Sequence, residues 1–140
     1  CSSDLQMVAD GALLEYAAYV TGLYYGTPRA FVEECVSTGQ DVILEIDVKG
    51  AMQVKDRWPG AVFVFLLPPT MEALEHRLLK RQTEAPEAIR QRLSVAEDEI
   101  HFLPMYDYQV VNDDLERAAD KLHAIIHAER CRVSRRMARH

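Results

Sequence analysis

The chain has 140 residues, enough for one ordinary domain with a buried core. Apolar residues make up 49% and charged residues 27%, close to the globular average, which excludes disordered, collagen-like and coiled-coil chains. Lys and Arg number 16 against 22 Asp and Glu, a formal charge of -6, so a broad nucleic-acid or anionic-membrane surface is excluded while a small cationic phosphate pocket is not.

The chain starts at Cys1, not Met, in a stretch over residues 5–10 that reads as helix, so a natural sequence that begins further upstream is expected. Thr27 and Pro28 follow the N-cap and first-turn proline rule and predict a helix over 28–37, stopped by Gly39. Residues 41–47 (DVILEID) read as a strand, and 61–67 (AVFVFLL) as a second. Both are nearly continuously apolar, the pattern of parallel strands covered on both faces by helices. Thr70 caps the next helix after the Pro68-Pro69 break, with Leu74, Leu78 and Leu79 as its apolar stripe. Pro86 opens a longer one carrying Ile89, Leu93, Ala96 and Ile100. Residues 108–112 (YQVVN) form the third strand, and Asp113-Asp114 start a last helix with Leu115, Ala118, Leu122, Ile125 and Ile126 inward. The predicted order is α, β, α, β, α, α, β, α.

Strands that alternate with helical crossovers imply an α/β protein built on a parallel sheet with right-handed connections. Ligands of such sheets bind beyond the carboxyl ends of the strands. Glu45 and Asp47 stand at one such end, and Asn112 at another. The cysteines, Cys1, Cys35 and Cys131, lack the paired spacing of a zinc or redox motif, which predicts free thiols in a reducing cytosol. No apolar run reaches membrane-helix length and no signal-peptide layout is visible, so the expected location is cytoplasmic. His123 and His127 share a helix face without a third ligand and read as surface polar residues; no metal-ligating residue is assigned. The basic run Arg130, Arg132, Arg135, Arg136 and Arg139 reads as a frayed, solvated helix tail.

Two carboxylates and a hydroxyl can read a base edge that presents two N–H donors and a carbonyl acceptor. Glu15, Asp47 and the Thr27 hydroxyl can supply that set. Arg77, Arg81 and Arg92, at spacings of four and eleven, are planar cations able to clamp phosphoryl oxygens from a mobile lid.

LEYA (14–17), YYGTPR (24–29), LEIDVKGA (44–51), LPP (67–69), these three arginines and VVNDDL (110–115) together resemble the guanylate kinase family of ATP:GMP phosphotransferases. The resemblance runs from about Met7 to Arg132. It implies a fold like that of P-loop NTPases, a parallel sheet flanked by helices. Within it, residues 1–30 are the remainder of a GMP-binding lobe, 31–69 core, 70–93 the lid region, and 94–140 core with the C-terminal helix. It further implies GMP contacts at Glu15, Tyr25, Thr27, Glu45 and Asp47, with Tyr25 on the monophosphate. Arg77, Arg81 and Arg92 would be catalytic, Asn112 would lie on the ATP side, and Mg2+ would arrive with ATP. GMP and ATP are the implied partners, and a homo-oligomer stays open.

Three features depart from the family pattern. Lys80 and Gln82 stand where family lids usually carry glycines, which predicts stiffer closure. One extra residue separates Glu15 from Gly26, which predicts a bulge in the loop over 18–22 and a displaced Glu15. No G-x-x-x-x-G-K-[ST] string occurs, nor do the family's earlier GMP-phosphate arginines and tyrosine, so the expectation is an N-terminally truncated kinase, inactive alone. The alternative is a guanylate-kinase-like interaction domain that has lost catalysis, against which the three retained arginines weigh.

Overall fold

The computed structural model describes residues 13–18, 24–81 and 85–134. The chain divides into two compact units, Cys1–Ala61 and Val62–His140. The helix expected over 5–10, the loop at 19–23 that includes most of the predicted bulge, Gln82 and the tail from Arg135 lie outside the described residues.

In the first unit, β1 (Leu13–Ala18) and β2 (Tyr24–Pro28) pair antiparallel. The sequence reading places no strand here, because Leu, Glu and Ala favour helix and β1 lacks period-two alternation. The ladder shifts between Leu13 and Glu15, after which Glu15 stands opposite Thr27 and Ala17 opposite Tyr25. Helix α1 (Arg29–Ser37) follows directly. Its cap differs from expectation: Thr27 is committed to β2, so Pro28 holds the N-cap position at φ -64° and ψ 126°, with no side-chain cap. The stop is as predicted. Gly39 adopts φ 84°, its N–H donates to Val36 O at 3.0 Å, and Gln40 N–H donates to Cys35 O at 3.0 Å, the paired bonds of a glycine-terminated helix.

Residues 41–47 form no strand, contrary to expectation: a strand needs a ladder partner, and none pairs with them among the described residues. The segment nevertheless alternates in burial. Val42, Leu44 and Ile46 are half-buried while Asp41, Ile43, Glu45 and Asp47 are exposed, Ile43 at 79%. One face is therefore covered, not two. Helix α2 (Val48–Arg57) follows, and it packs on β1 through a face on which Val48, Gly50, Ala51 and Val54 are buried.

The second unit is built on a parallel pair, β3 (Val64–Leu67) and β4 (Tyr108–Val111), in register from Val64 opposite Tyr108 to Leu67 opposite Val111. Both lie inside the predicted runs. Phe65 and Val110 are buried, the latter at 1% exposure, but Leu66 is 51% exposed, so burial on both faces fails here too. The amino end is locked by Asp107, whose carboxylate accepts from Phe63 N at 2.9 Å while its own N–H donates to Phe63 O at 2.9 Å.

Helices α3 (Met71–Lys80) and α4 (Pro86–Ile100) pack on each other, and α5 (Leu115–Arg130) packs on β4. Thr70 caps α3 by accepting from Ala73 N at 3.0 Å, and Asp114 caps α5 by accepting from Glu116 N at 2.9 Å, as the sequence predicts. Two stripe residues turn outward. Leu79, in the last turn of α3, is 54% exposed, and Leu115, the first residue of α5, is 80% exposed, because each sits at a helix end beyond its covered face. Arg130 and Arg132 are exposed, as the tail reading expects, and Arg132 Nε pairs with Glu129 at 2.7 Å; Glu129, itself buried, accepts from the Tyr108 hydroxyl at 2.6 Å. That pairing meets the rule that a buried carboxylate needs partners. Among the described residues, Cys35 and Cys131 are free thiols. No described helix is long and apolar enough to cross a membrane.

Candidate functional site

The guanine-reading candidates fall in the first unit. Backbone register sets Glu15 directly opposite Thr27, and Thr27 is half-buried. The ladder irregularity falls between Leu13 and Glu15, and from Glu15 onward the strand pairs with β2. Tyr25 is placed in β2 opposite Ala17. Asp47 is the N-cap of α2, its Oδ1 accepting from Gly50 N at 2.8 Å. The cap uses one carboxylate oxygen and holds the group at the positive end of a helix, where a negative charge is favoured. Glu45 lies two residues earlier on the same exposed face of the extended segment as Asp47.

Arg29 belongs to the YYGTPR motif, yet the sequence reading assigns it no role. Its Nε pairs with Glu33 at 2.8 Å, its Nη1 donates to Arg57 O at 3.1 Å, and its guanidinium lies 5.5 Å from the Trp58 ring centroid. The i, i+4 Glu33 was the only one of these legible from sequence.

The cationic candidates fall in the second unit, on the surface. Arg77 Nη2 donates to the backbone carbonyl of Asn112 at 2.7 Å, and Asn112 N–H donates to Leu67 O at 2.7 Å. Arg77 and Asn112 thus meet at the carboxyl ends of β3 and β4, where the ligand crevice of a parallel sheet is expected. Arg81 closes α3 and is exposed; Arg92 is exposed in the second turn of α4. Lys80 is the last residue of α3, so helical backbone runs up to Arg81 without a glycine. At the opposite end of β4, Leu103, Tyr106, Asp107, Tyr108 and Gln109 line an open cavity of about 190 Å3 that includes none of the candidates. Among the described residues no group of three or more His, Cys, Asp or Glu could hold a metal ion.

The guanylate kinase family model matches residues 3–129. The chain is 49% identical over 130 residues to the guanylate kinase of Oceanobacillus iheyensis, covering 93% of this chain and 63% of that protein. With that of Desulfitobacterium hafniense it shares 48% over 130 residues, 93% of this chain and 64% of the relative. Its fold is similar to the crystal structure of guanylate kinase from Anaplasma phagocytophilum, with a TM-score of 0.74 and 32% identity over 94% of this chain and 63% of that one. The chain therefore spans somewhat under two thirds of the length of the relatives it matches. A family match over residues 3–129, with relatives 48–49% identical over 93% of this chain, places the chain in the guanylate kinase family.

Proposed function

We propose that the protein to which these residues belong transfers the γ-phosphoryl group of ATP to GMP, giving ADP and GDP. The observation that carries this reading is the family match over residues 3–129. In the first unit, Glu15 and Asp47 accept the guanine N1–H and N2–H while the Thr27 hydroxyl donates to O6. Register across β1 and β2, and the cap of α2, support it by fixing the backbone of all three. Adenine would turn an acceptor toward those carboxylates and leave them unpaired. Tyr25 holds the monophosphate, and Glu45 lines the same side.

In the second unit, Arg77, Arg81 and Arg92 gather the charge that spreads over the transferring phosphoryl oxygens. Asn112 lies on the ATP side, with Arg77 already bonded to its carbonyl. Magnesium belongs to this reaction through the nucleotide phosphates. The described residues offer no acidic cluster for it, so no step is routed through it.

Positioning and charge stabilisation are nearly the whole of catalysis in phosphoryl transfer. With no phosphate-loop string in the 140 residues, the chain alone is inactive. ADP formation at saturating GMP and MgATP tests both statements, with the chain alone set beside a fusion in which the N-terminal segment of the Oceanobacillus iheyensis relative precedes it. The expected result is turnover by the fusion and none by the chain. Chain turnover within tenfold of the fusion would overturn the inactivity. A fusion that phosphorylates AMP as well as GMP would overturn the substrate assignment.

A further inference from the structure

We infer that Arg29 is a positioning residue for guanine recognition: it ties the head of α1 to the tail of α2 and so holds Thr27 in place relative to Asp47. The inference rests on the guanine-pocket reading above. Thr27 precedes Arg29 by two residues, and the residue between them is Pro28 at φ -64°, whose ring removes most of the freedom of the link. At the other side, α2 is a rod of ten residues, about 15 Å long. Its near end is Asp47, and its far end is Arg57, whose carbonyl accepts from Arg29.

The rod lies on β1 through Val48, Gly50, Ala51 and Val54. Apolar burial is non-directional and leaves a helix free to slide or pivot by small amounts. A polar tie at its tail removes that freedom. A carboxylate that reads a base edge must be held to about half an ångström, so a small pivot at Arg57 matters at Asp47.

Three contacts meet on one guanidinium: Glu33 on its own helix at 2.8 Å, the Arg57 carbonyl at 3.1 Å, and the Trp58 ring at 5.5 Å. Glu33 aims the fork. Trp58, whose N–H donates to Val54 O at 2.7 Å, gives it a flat surface to lie on. The Arg57 carbonyl stands at the C-terminus of α2, where a cation is favoured. Lysine has one point of charge and cannot serve all three.

The test titrates GMP and AMP into the 140-residue chain, following backbone amide NMR shifts of Gly26 and Gly50. R29K is compared with G39A, which disturbs the opposite end of α1 without touching the tie, and with E15Q and D47N, which remove the carboxylates assigned to the base edge, the amide oxygen of D47N still able to cap α2. R29K is expected to lower the GMP/AMP affinity ratio at least fivefold, and G39A to leave it within twofold. If D47N and E15Q collapse the ratio while R29K matches G39A, Arg29 is only a helix-end clamp and the positioning role is overturned, with the guanine reading intact. If the wild-type chain shows no preference for GMP, or E15Q and D47N change nothing, both fall.

Discussion

The residues proposed for guanine and those proposed for the phosphates are held in place by different means. Glu15, Thr27 and Asp47 are placed by backbone hydrogen bonding: a ladder register sets the first two opposite each other, and a cap fixes the third. Arg77, Arg81 and Arg92 stand exposed on two helices packed side by side. Of these, Arg77 is anchored through a hydrogen bond to the Asn112 carbonyl. On the proposed reading, groups that recognise a base edge are placed by the main chain, where an error of about half an ångström is not tolerated. On the same reading, groups that gather spreading charge are carried on long side chains of α3, its C-cap and α4, where closure over the substrate needs freedom.

That contrast is most exposed to failure at the arginines. In the fusion carrying a phosphate loop, R81A or R92A is expected to lower kcat by about 10³-fold with little change in KM for GMP, as loss of a phosphoryl cation does. R77A, whose guanidinium is occupied with Asn112, is expected to cost about tenfold. Steady-state kinetics over GMP concentration check this. Equal losses at all three positions would erase the distinction between Arg77 and the other two, and wild-type kcat in R81A and R92A would leave both outside the reaction.

A second measurement sharpens the guanine side. E15Q turns an amide donor toward a guanine donor, so kcat/KM for GMP in the same fusion is expected to fall at least tenfold, about 1.4 kcal/mol of transition-state stabilisation. The GMP/AMP ratio should fall with it, and an unchanged ratio would remove Glu15 from the pocket despite its register.

The smallest expected effect concerns the scaffold beneath the arginines. T70A removes the acceptor for Ala73 N and is expected to cost about 1 kcal/mol of stability, read as a lowered urea midpoint at constant slope. A loss of kcat in T70A larger than its loss of folded protein would mean that α3 must be held as tightly as the guanine side.

Much of this was decided locally and is visible in the chain. Thr70, Pro86 and Asp114 start their helices where capping and proline rules put them, and Gly39 ends α1 because its φ of 84° suits a residue without a Cβ. Apolar runs at 61–67 and 108–112 found the parallel strands, since hydrophobic patterning and local propensity agree there. Motif residues in order were sufficient to point to the family.

What neighbours decide could not be read this way. Residues 41–47 have the composition of a strand, but a strand exists only with a partner across the ladder, and the described residues offer none. The β1–β2 hairpin went unseen because Leu, Glu and Ala prefer helix and only pairing overrides them. Glu129 and Arg132, 21 and 24 residues after Tyr108 in the chain, look like an exposed helix end until α5 packs on β4 and buries the carboxylate against the tyrosine hydroxyl. Arg29 shows the same limit at the functional site. Its sequence neighbours revealed one salt-bridge partner, whereas its hold on Arg57, 28 residues away, exists only because α1 packs on β2, α2 packs on β1 and the two strands pair.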